Sequence, residues 1–231
     1  MTILKNKNIL ITGTTGGVGE EFSRQLSQYG CNLFLTGRND EKLLKLSKTL
    51  SVPYYQSCDF TKDVDLLISS VRNTIKTIDI LINCAGVFLT KSIKDSSLDD
   101  FQESFDVNVK APFTLIKEFS QDMIKNKWGR IVNIGSSSSY AGFSGTSIYC
   151  SSKHAILGLS RSAYKEFIDE NVRTFCFSPG SLKTEMGMKV KGQDFSTFIE
   201  PKEFCEYIIN SIIYDSDMIS EEIRFNRVKV Q

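Results

Sequence analysis

Short apolar runs alternate with longer amphipathic stretches along almost the whole chain. The runs at 8–12, 32–36, 53–57, 80–84, 130–134, 173–177 and 223–228 are bounded by glycine, proline or polar residues. Most are continuously apolar, as in NILIT and ILINC, which marks strands covered on both faces and therefore parallel. Between them, residues 17–29, 40–50, 64–75, 98–125 and 147–170 are each long enough for a crossover helix. In the first of these, Val18, Phe22, Leu26 and Tyr29 recur at spacings of three or four, laying an apolar stripe along one face. The repeated strand–helix order predicts an α/β fold, a doubly wound parallel sheet of about seven strands with helices on both faces. No linker or low-complexity tract interrupts the pattern, so residues 1–231 are expected to form one domain. Such a sheet binds its ligand beyond the carboxyl ends of its strands, where strand order reverses.

Composition narrows the function. With 28 basic and 27 acidic side chains the net charge is +1, which gives no support to nucleic-acid binding. No apolar run approaches the roughly 18 residues of a membrane helix, so no membrane partner is expected. The N-terminus enters a strand-like run without a signal-peptide plan. Cys31, Cys58, Cys84, Cys150, Cys176 and Cys205 are scattered with no CxxC pair. That pattern suits neither a zinc site nor a disulfide framework and points to a reducing cytoplasmic setting. The lone histidine, His154, excludes mechanisms built on several; beside Lys153 on a helix it points about 100° away and is expected to be packing or surface. Trp128 is expected to be structural or interfacial.

Two motifs carry chemistry on their own. Thr12-Gly13-Thr14-Thr15-Gly16-Gly17-Val18-Gly19 joins the first strand to the first helix. Gly13 permits a sharp turn, while Gly17 and Gly19 let backbone and helix approach a pyrophosphate, which the helix N-terminus attracts. Its GxxxGxG spacing disfavours a kinase-type phosphate loop. Further on, Tyr149 and Lys153 are four residues apart, so on a helix they share a face. A free tyrosine has a pKa of about 10, and a neighbouring ammonium would lower it, making Tyr149 a general acid or base.

Together with later segments, these motifs resemble the short-chain dehydrogenase/reductase family over about residues 5–186. Cys58-Asp59-Phe60 resembles the family's aspartate segment at the adenine ring. Asn83-Cys84-Ala85-Gly86 resembles its NNAG signature, with cysteine for the second asparagine. Asn108 matches the asparagine of the fifth-helix segment, Ser136, Tyr149 and Lys153 match the serine and YxxxK pair, and Pro179-Gly180 with Thr184 matches the segment gripping the nicotinamide end. The resemblance implies a Rossmann-fold oxidoreductase passing a hydride between a nicotinamide cofactor and a carbonyl or secondary alcohol. Tyr149 would exchange the oxygen's proton, and Ser136, thirteen residues before it, would orient that oxygen, with Ser138 as the fallback. Lys153 would also hold the nicotinamide ribose, and Asn108 would position a water in the proton relay. Cofactor contacts are implied at Gly13, Thr15, Gly17, Val18, Gly19, Arg38, Asp59, Phe60, Asn83, Ala85, Gly86, Tyr149, Lys153, Pro179, Gly180, Leu182 and Thr184.

Family members that use NAD usually carry aspartate where Gly37 stands. Here Arg38 follows a glycine, and arginine welcomes a 2′-phosphate, so NADP(H) is expected over NAD(H). Asn39-Asp40-Glu41 reads as the cap and acidic first turn of the next helix. Substrate choice falls to loops 87–97, 140–148 and 181–200, the last a short lid. In that lid Met186, Met188 and Phe195 could line an apolar site, while Lys183, Lys189 and Lys191 hint at an anionic substrate or form a solvated face.

The nearest general resemblance is to 3-oxoacyl-acyl-carrier-protein reductases and other ketoreductases. Carrier docking would call on cations such as Lys127 and Arg130, although Asp169-Glu170 oppose it. A reductase of a sugar derivative or other small ketone, and a non-catalytic dinucleotide sensor, remain the alternatives. Relatives are commonly homodimers or homotetramers packed through the helices at 98–125 and 147–170, where Phe101, Phe105, Phe113 and Phe119 are core or interface.

Overall fold

Residues 3–190 and 192–228 are described by a computed structural model. Among them, seven strands pair in one sheet, all in parallel, in the order β3-β2-β1-β4-β5-β6-β7. The strands are β1 Asn8–Thr12, β2 Asn32–Gly37, β3 Tyr54–Ser57, β4 Ile80–Asn83, β5 Gly129–Ile134, β6 Val172–Pro179 and β7 Glu222–Phe225. The helices are α1 Gly17–Leu26, α2 Asp40–Leu50, α3 Val64–Thr74, α4 Leu98–Phe105, α5 Ala111–Lys125, α6 Ser147–Phe167 and α7 Pro201–Ile213.

The continuous apolar runs have a direct cause in the layering. Ile9 and Ile11 of β1 face one core with Phe22 and Leu26 of α1, Leu43 of α2, and Phe204 and Ile208 of α7. Leu10, between them, faces a second core with Leu67 and Val71 of α3 and Leu115 and Phe119 of α5. Residues 9–12 of β1 are thus buried whichever way they point. The chain winds from β1 out to β3, then returns to place β4 on the other side of β1, with Ile9 opposite Ile80 and Ile11 opposite Ile82. This reversal is the crevice where a doubly wound sheet takes its ligand.

Four expectations are corrected. The expected helix at 98–125 is broken by a π-helical turn, Asp106–Lys110, a device frequent at functional sites, and Asn108 sits at its middle. A helix at Pro201–Ile213 was not foreseen, although Phe204, Cys205, Ile208, Ile209 and Ile212 make a buried stripe at helical spacing. The last strand is Glu222–Phe225 rather than 223–228, and Val228 is exposed. The helices begun at Gly17 and Ser147 end sooner than expected, each passing into a short 3-10 turn, Ser27–Tyr29 and Ile168–Glu170.

Candidate active site

The carboxyl ends of β1, β4, β5 and β6 bring their following loops to one edge of the sheet. At Gly13 φ is 73°, in the left-handed region, and a Cβ there would stand 2.8 Å from the Ala85 backbone. At Gly19 a Cβ would lie 2.3 Å from the Gly13 carbonyl oxygen. Gly16, the N-cap of α1, brings no side chain to satisfy the first-turn N–H groups, which leaves them and the dipole's positive end for an anion. The Thr12 hydroxyl ties this loop to the next one, accepting from the amides of Cys84 and Ala85, each at 3.0 Å. Thr12 is a supporting residue that the glycine motif does not single out; its place at the end of the first apolar run is the one sequence feature that points to it.

At the end of β2, a Cβ at Gly37 would come within 2.7 Å of the Thr15 hydroxyl, so a carboxylate cannot stand there without displacing Thr15. Arg38 is exposed, and its contact with Glu103 is long, at 3.9 Å. Asn39 caps α2 as expected, accepting from the Lys42 amide at 2.8 Å, with Asp40 and Glu41 in the first turn. Asp59 accepts from the Thr61 hydroxyl at 2.8 Å and its amide at 3.1 Å, which holds its carboxyl below the ordinary carboxylate range. The neighbouring Phe60 side chain is buried in the core.

The segment after β6 crosses over the start of α1: a Cβ at Gly17 would lie 2.9 Å from Cγ2 of Thr184. Val18 packs on the core beneath. Past Pro179, the Gly180 amide donates to the Phe225 carbonyl at 2.9 Å. Leu182 then pairs with Ile199, closing residues 182–199 into a loop at its base. Met186, Met188 and Phe195 are exposed on it. Lys183 is paired with Glu200, and Lys189 is exposed; Lys191 lies outside the described residues.

Tyr149 and Lys153 occupy the first turns of α6. Tyr149 is only 8 % exposed, and its ring meets Phe88 edge to face at 4.7 Å. Burial pushes the phenol up to about 12, with the nearby Ser136 hydroxyl pulling it down. This reverses the expectation of a lowered pKa. Burial is what dominates; Lys153 Nζ stands 5.8 Å from the ring centroid and donates to the Ile134 carbonyl at 2.8 Å. Burial in turn brings Lys153 down to about 8, with the Cys176 and Cys84 thiols opposing.

Ser136 precedes the 3-10 turn Ser137–Ser139. Its hydroxyl accepts from the Ser138 amide and its amide donates to the Ser139 hydroxyl, both at 3.1 Å. Its own proton stays available to donate, whereas Ser138 is buried. Asn108 is engaged at both ends of its amide. Oδ1 accepts from Val87 N at 2.9 Å, and Nδ2 donates to the Val87 carbonyl and the Ser152 hydroxyl, each at 3.0 Å. The side chain therefore clamps the loop after β4. Gly86 lies beside it, where a Cβ would meet Asn108 Oδ1 at 3.3 Å and Lys153 Nζ at 3.8 Å. Asn83 turns into the sheet, donating to Asn133 of β5 at 2.8 Å, which in turn donates to Ser160 of α6 at 2.9 Å.

Three residues fall outside the site. His154 is exposed, with Nδ1 2.8 Å from the Cys150 carbonyl oxygen. Arg130, expected as a docking cation, is 0 % exposed and donates to Asp215 at 2.6 Å; it stands at the start of β5, the end opposite the site. Lys127 is likewise paired, with Glu170.

Comparison with known proteins agrees with this geometry. Residues 7–194 match the family model for short chain dehydrogenases. Over 194 residues the chain is 31 % identical to 3-oxoacyl-acyl-carrier-protein reductase FabG of Rickettsia bellii, covering 84 % of this chain and 80 % of that protein. An alcohol dehydrogenase from the archaeon Thermococcus sibiricus, solved with 5-hydroxy-NADP, superposes with a TM-score of 0.84 at 25 % identity, covering 96 % and 97 % of the two chains. A 4-hydroxyisoleucine dehydrogenase solved with NADH gives 0.85 at 26 % identity, covering 96 % and 98 %. With a Rossmann-type sheet, the glycine turn over α1 and the Tyr149–Lys153 pair, the chain belongs to the short-chain dehydrogenase/reductase family, oxidoreductases that act on CH–OH and C=O groups with a nicotinamide cofactor.

Proposed function

We propose that the protein is an NADP-preferring ketoreductase, with Ser136, Tyr149 and Lys153 as its catalytic residues and Asn108 as a positioning residue. The buried Tyr149–Lys153 pair on one face of α6, with Ser136 on the turn that follows β5, carries this reading. The residues present fit a dinucleotide. Gly13, Gly17 and Gly19 let the turn pack tightly on Ala85, on Thr184 and on itself, where any Cβ would collide, and α1 begins uncapped with its first amides free for an anion. Thr15, Val18, Asp59, Phe60, Ala85 and Gly86 would line its adenosine and central parts, and Pro179, Gly180, Leu182 and Thr184 its nicotinamide end. Arg38 beside a carboxylate-free position 37 supports NADP(H) over NAD(H). Asn83 would support the pocket wall through Asn133.

When bound, the nicotinamide supplies or takes the hydride. Ser136 keeps its proton and donates a hydrogen bond to the substrate oxygen, where negative charge grows. Tyr149 gives up its phenolic proton to the same oxygen. Its raised pKa keeps it protonated at neutrality, as an acid must be, and Lys153 stabilises the phenolate as it forms. Asn108, by holding Val87 through both backbone atoms, keeps Phe88 against the Tyr149 ring.

The substrate is read as a ketone of the 3-oxoacyl type. The burial of Arg130 and the pairing of Lys127 favour a second reading, a small free ketone or sugar derivative that needs no carrier docking. We further place residues 1–231 in one domain with a lid at about 181–200, and the protein in the reducing cytoplasm, its six thiols being free. No described helix is long and apolar enough to cross a membrane. A homo-oligomer is favoured by an apolar groove of about 320 Å³ flanked by Phe105, Val109 and Phe113 on the α4–α6 face, beside the exposed Phe101.

The test is oxidation of NADPH and NADH against acyl thioesters, sugar ketones and diketones. NADPH-dependent turnover is expected, with Tyr149→Phe slowing it by about a hundredfold or more while cofactor binding persists. Arg38→Ala should raise KM for NADPH and leave that for NADH unchanged. Full activity in Tyr149→Phe, or equal use of both cofactors, would overturn the corresponding assignment.

A further inference from the structure

The turn that carries Ser136 is made of four consecutive serines, side chains too small to anchor it by packing. The first residue large enough to do so is Tyr140. Its amide donates to the Ser137 carbonyl at 3.2 Å, ending the 3-10 turn. Its phenol leaves the turn altogether and donates to Oε1 of Glu222 in β7 at 2.9 Å. Glu222 is itself held in place by Arg161 of α6, whose Nε reaches Oε2 at 2.7 Å and Nη2 reaches Oε1 at 2.9 Å, a two-point fork that fixes the carboxylate's orientation. Arg224 covers the Tyr140 ring, its guanidinium carbon 4.2 Å from the centroid. The strand supplying Glu222 and Arg224 is tied to β6, with Cys176 opposite Glu222.

Charge and burial keep the latch in one state near neutrality. Arg161 holds the Glu222 carboxyl below the ordinary range, while burial pushes the Tyr140 phenol up to about 12. The acceptor stays ionised and the donor keeps its proton.

We propose that Tyr140, gripped from β7 by Glu222 and Arg161, is a positioning residue for the Ser136 hydroxyl. The outermost strand of the sheet thereby sets the geometry of the catalytic turn. This inference rests on the reading of Ser136 as the group that orients the substrate oxygen.

A double-mutant cycle tests it. Tyr140→Phe keeps the ring and loses only the bond to Glu222; it should lower kcat roughly tenfold, the worth of about one hydrogen bond, with KM for NADPH unchanged. In a Ser136→Ala background the same change should cost less than about twofold, because the group it positions is gone. Glu222→Gln, which retains an acceptor, should lose less than Glu222→Ala. Equal factors in both backgrounds, or an unchanged kcat in Tyr140→Phe, overturn the proposal. Hydrogen exchange measured on the peptide spanning 134–142 reads the same turn without turnover. Tyr140→Phe and Glu222→Ala should speed exchange of the Ser138 to Tyr140 amides roughly tenfold, and wild-type exchange rates in both variants overturn the proposal. Should the wild type reduce no substrate in the panel, the ketoreductase reading fails, and the exchange measurement still decides whether Tyr140 anchors the Ser136 turn.

Discussion

Replacing Lys153 with methionine should make the fold more stable at neutral pH while ending turnover. Burial brings this ammonium from an ordinary 10.5 down to about 8, and at about 1.4 kcal/mol per unit the gap corresponds to a cost of about 3 kcal/mol. Because the folded value lies below the unfolded one, this cost is fully present below pH 8, where both states hold the proton. It shrinks as pH rises toward 10.5, where only the unfolded chain still binds it, and vanishes above. Methionine keeps the unbranched shape but forfeits the bond from Nζ to the Ile134 carbonyl, worth about 1 kcal/mol. The variant should therefore be about 2 kcal/mol more stable than wild type at pH 7, or about 4–8 °C in Tm. It should be about 1 kcal/mol less stable above pH 10.5, with the order reversing near pH 10. Urea denaturation of both proteins at four pH values from 7 to 10.5, followed by circular dichroism, measures the difference directly. A difference that does not move with pH, or a variant less stable at pH 7, would refute the account of Lys153 as a buried charge held for function against stability.

Two further outcomes test the cofactor cradle. Thr12→Val preserves shape but removes the acceptor for two amides. Cys84 N keeps the Ile82 carbonyl at 3.1 Å, so one donor is orphaned and a loss of about 1–3 kcal/mol is expected; Thr12→Ser should recover most of it in chemical denaturation. Gly17→Ala would set its Cβ against Cγ2 of Thr184 at 2.9 Å and should weaken NADPH binding by roughly tenfold. Adding Thr184→Ser, which lacks that methyl, should restore most of the affinity, and titration calorimetry that finds no rescue would contradict the contact.

Much of the site was legible because its determinants are local. The glycine spacing fixes the turn over α1, and four residues of helix bring Tyr149 and Lys153 to one face. What escaped depends on partners distant in sequence. Arg130 looks like a surface cation until Asp215, on the loop after α7, closes over it. The clamp that Asn108 makes on Val87, with its amide bonded on both sides, joins residues 21 apart and is not written in the sequence. The sign of the Tyr149 shift also needed the fold, since burial by Phe88 and its neighbours competes with an ammonium that the Ile134 carbonyl draws aside. The helix Pro201–Ile213 is a different case: its apolar stripe, Phe204, Cys205, Ile208, Ile209 and Ile212, stands in the sequence at helical spacing.

The position of Trp128 has a practical consequence. As the protein's one tryptophan, it lies just before β5, with Lys7 Nζ 3.8 Å and the Arg130 guanidinium carbon 4.5 Å from its ring. The length of β5 separates it from Ser136, about 20 Å at the usual rise per residue. Its emission is thus a built-in gauge of the sheet's far end, one that follows unfolding while remaining blind to side-chain substitutions in the catalytic cluster. Stability across a whole series of variants can therefore be compared by fluorescence alone, without a label and without correcting each curve for the altered site.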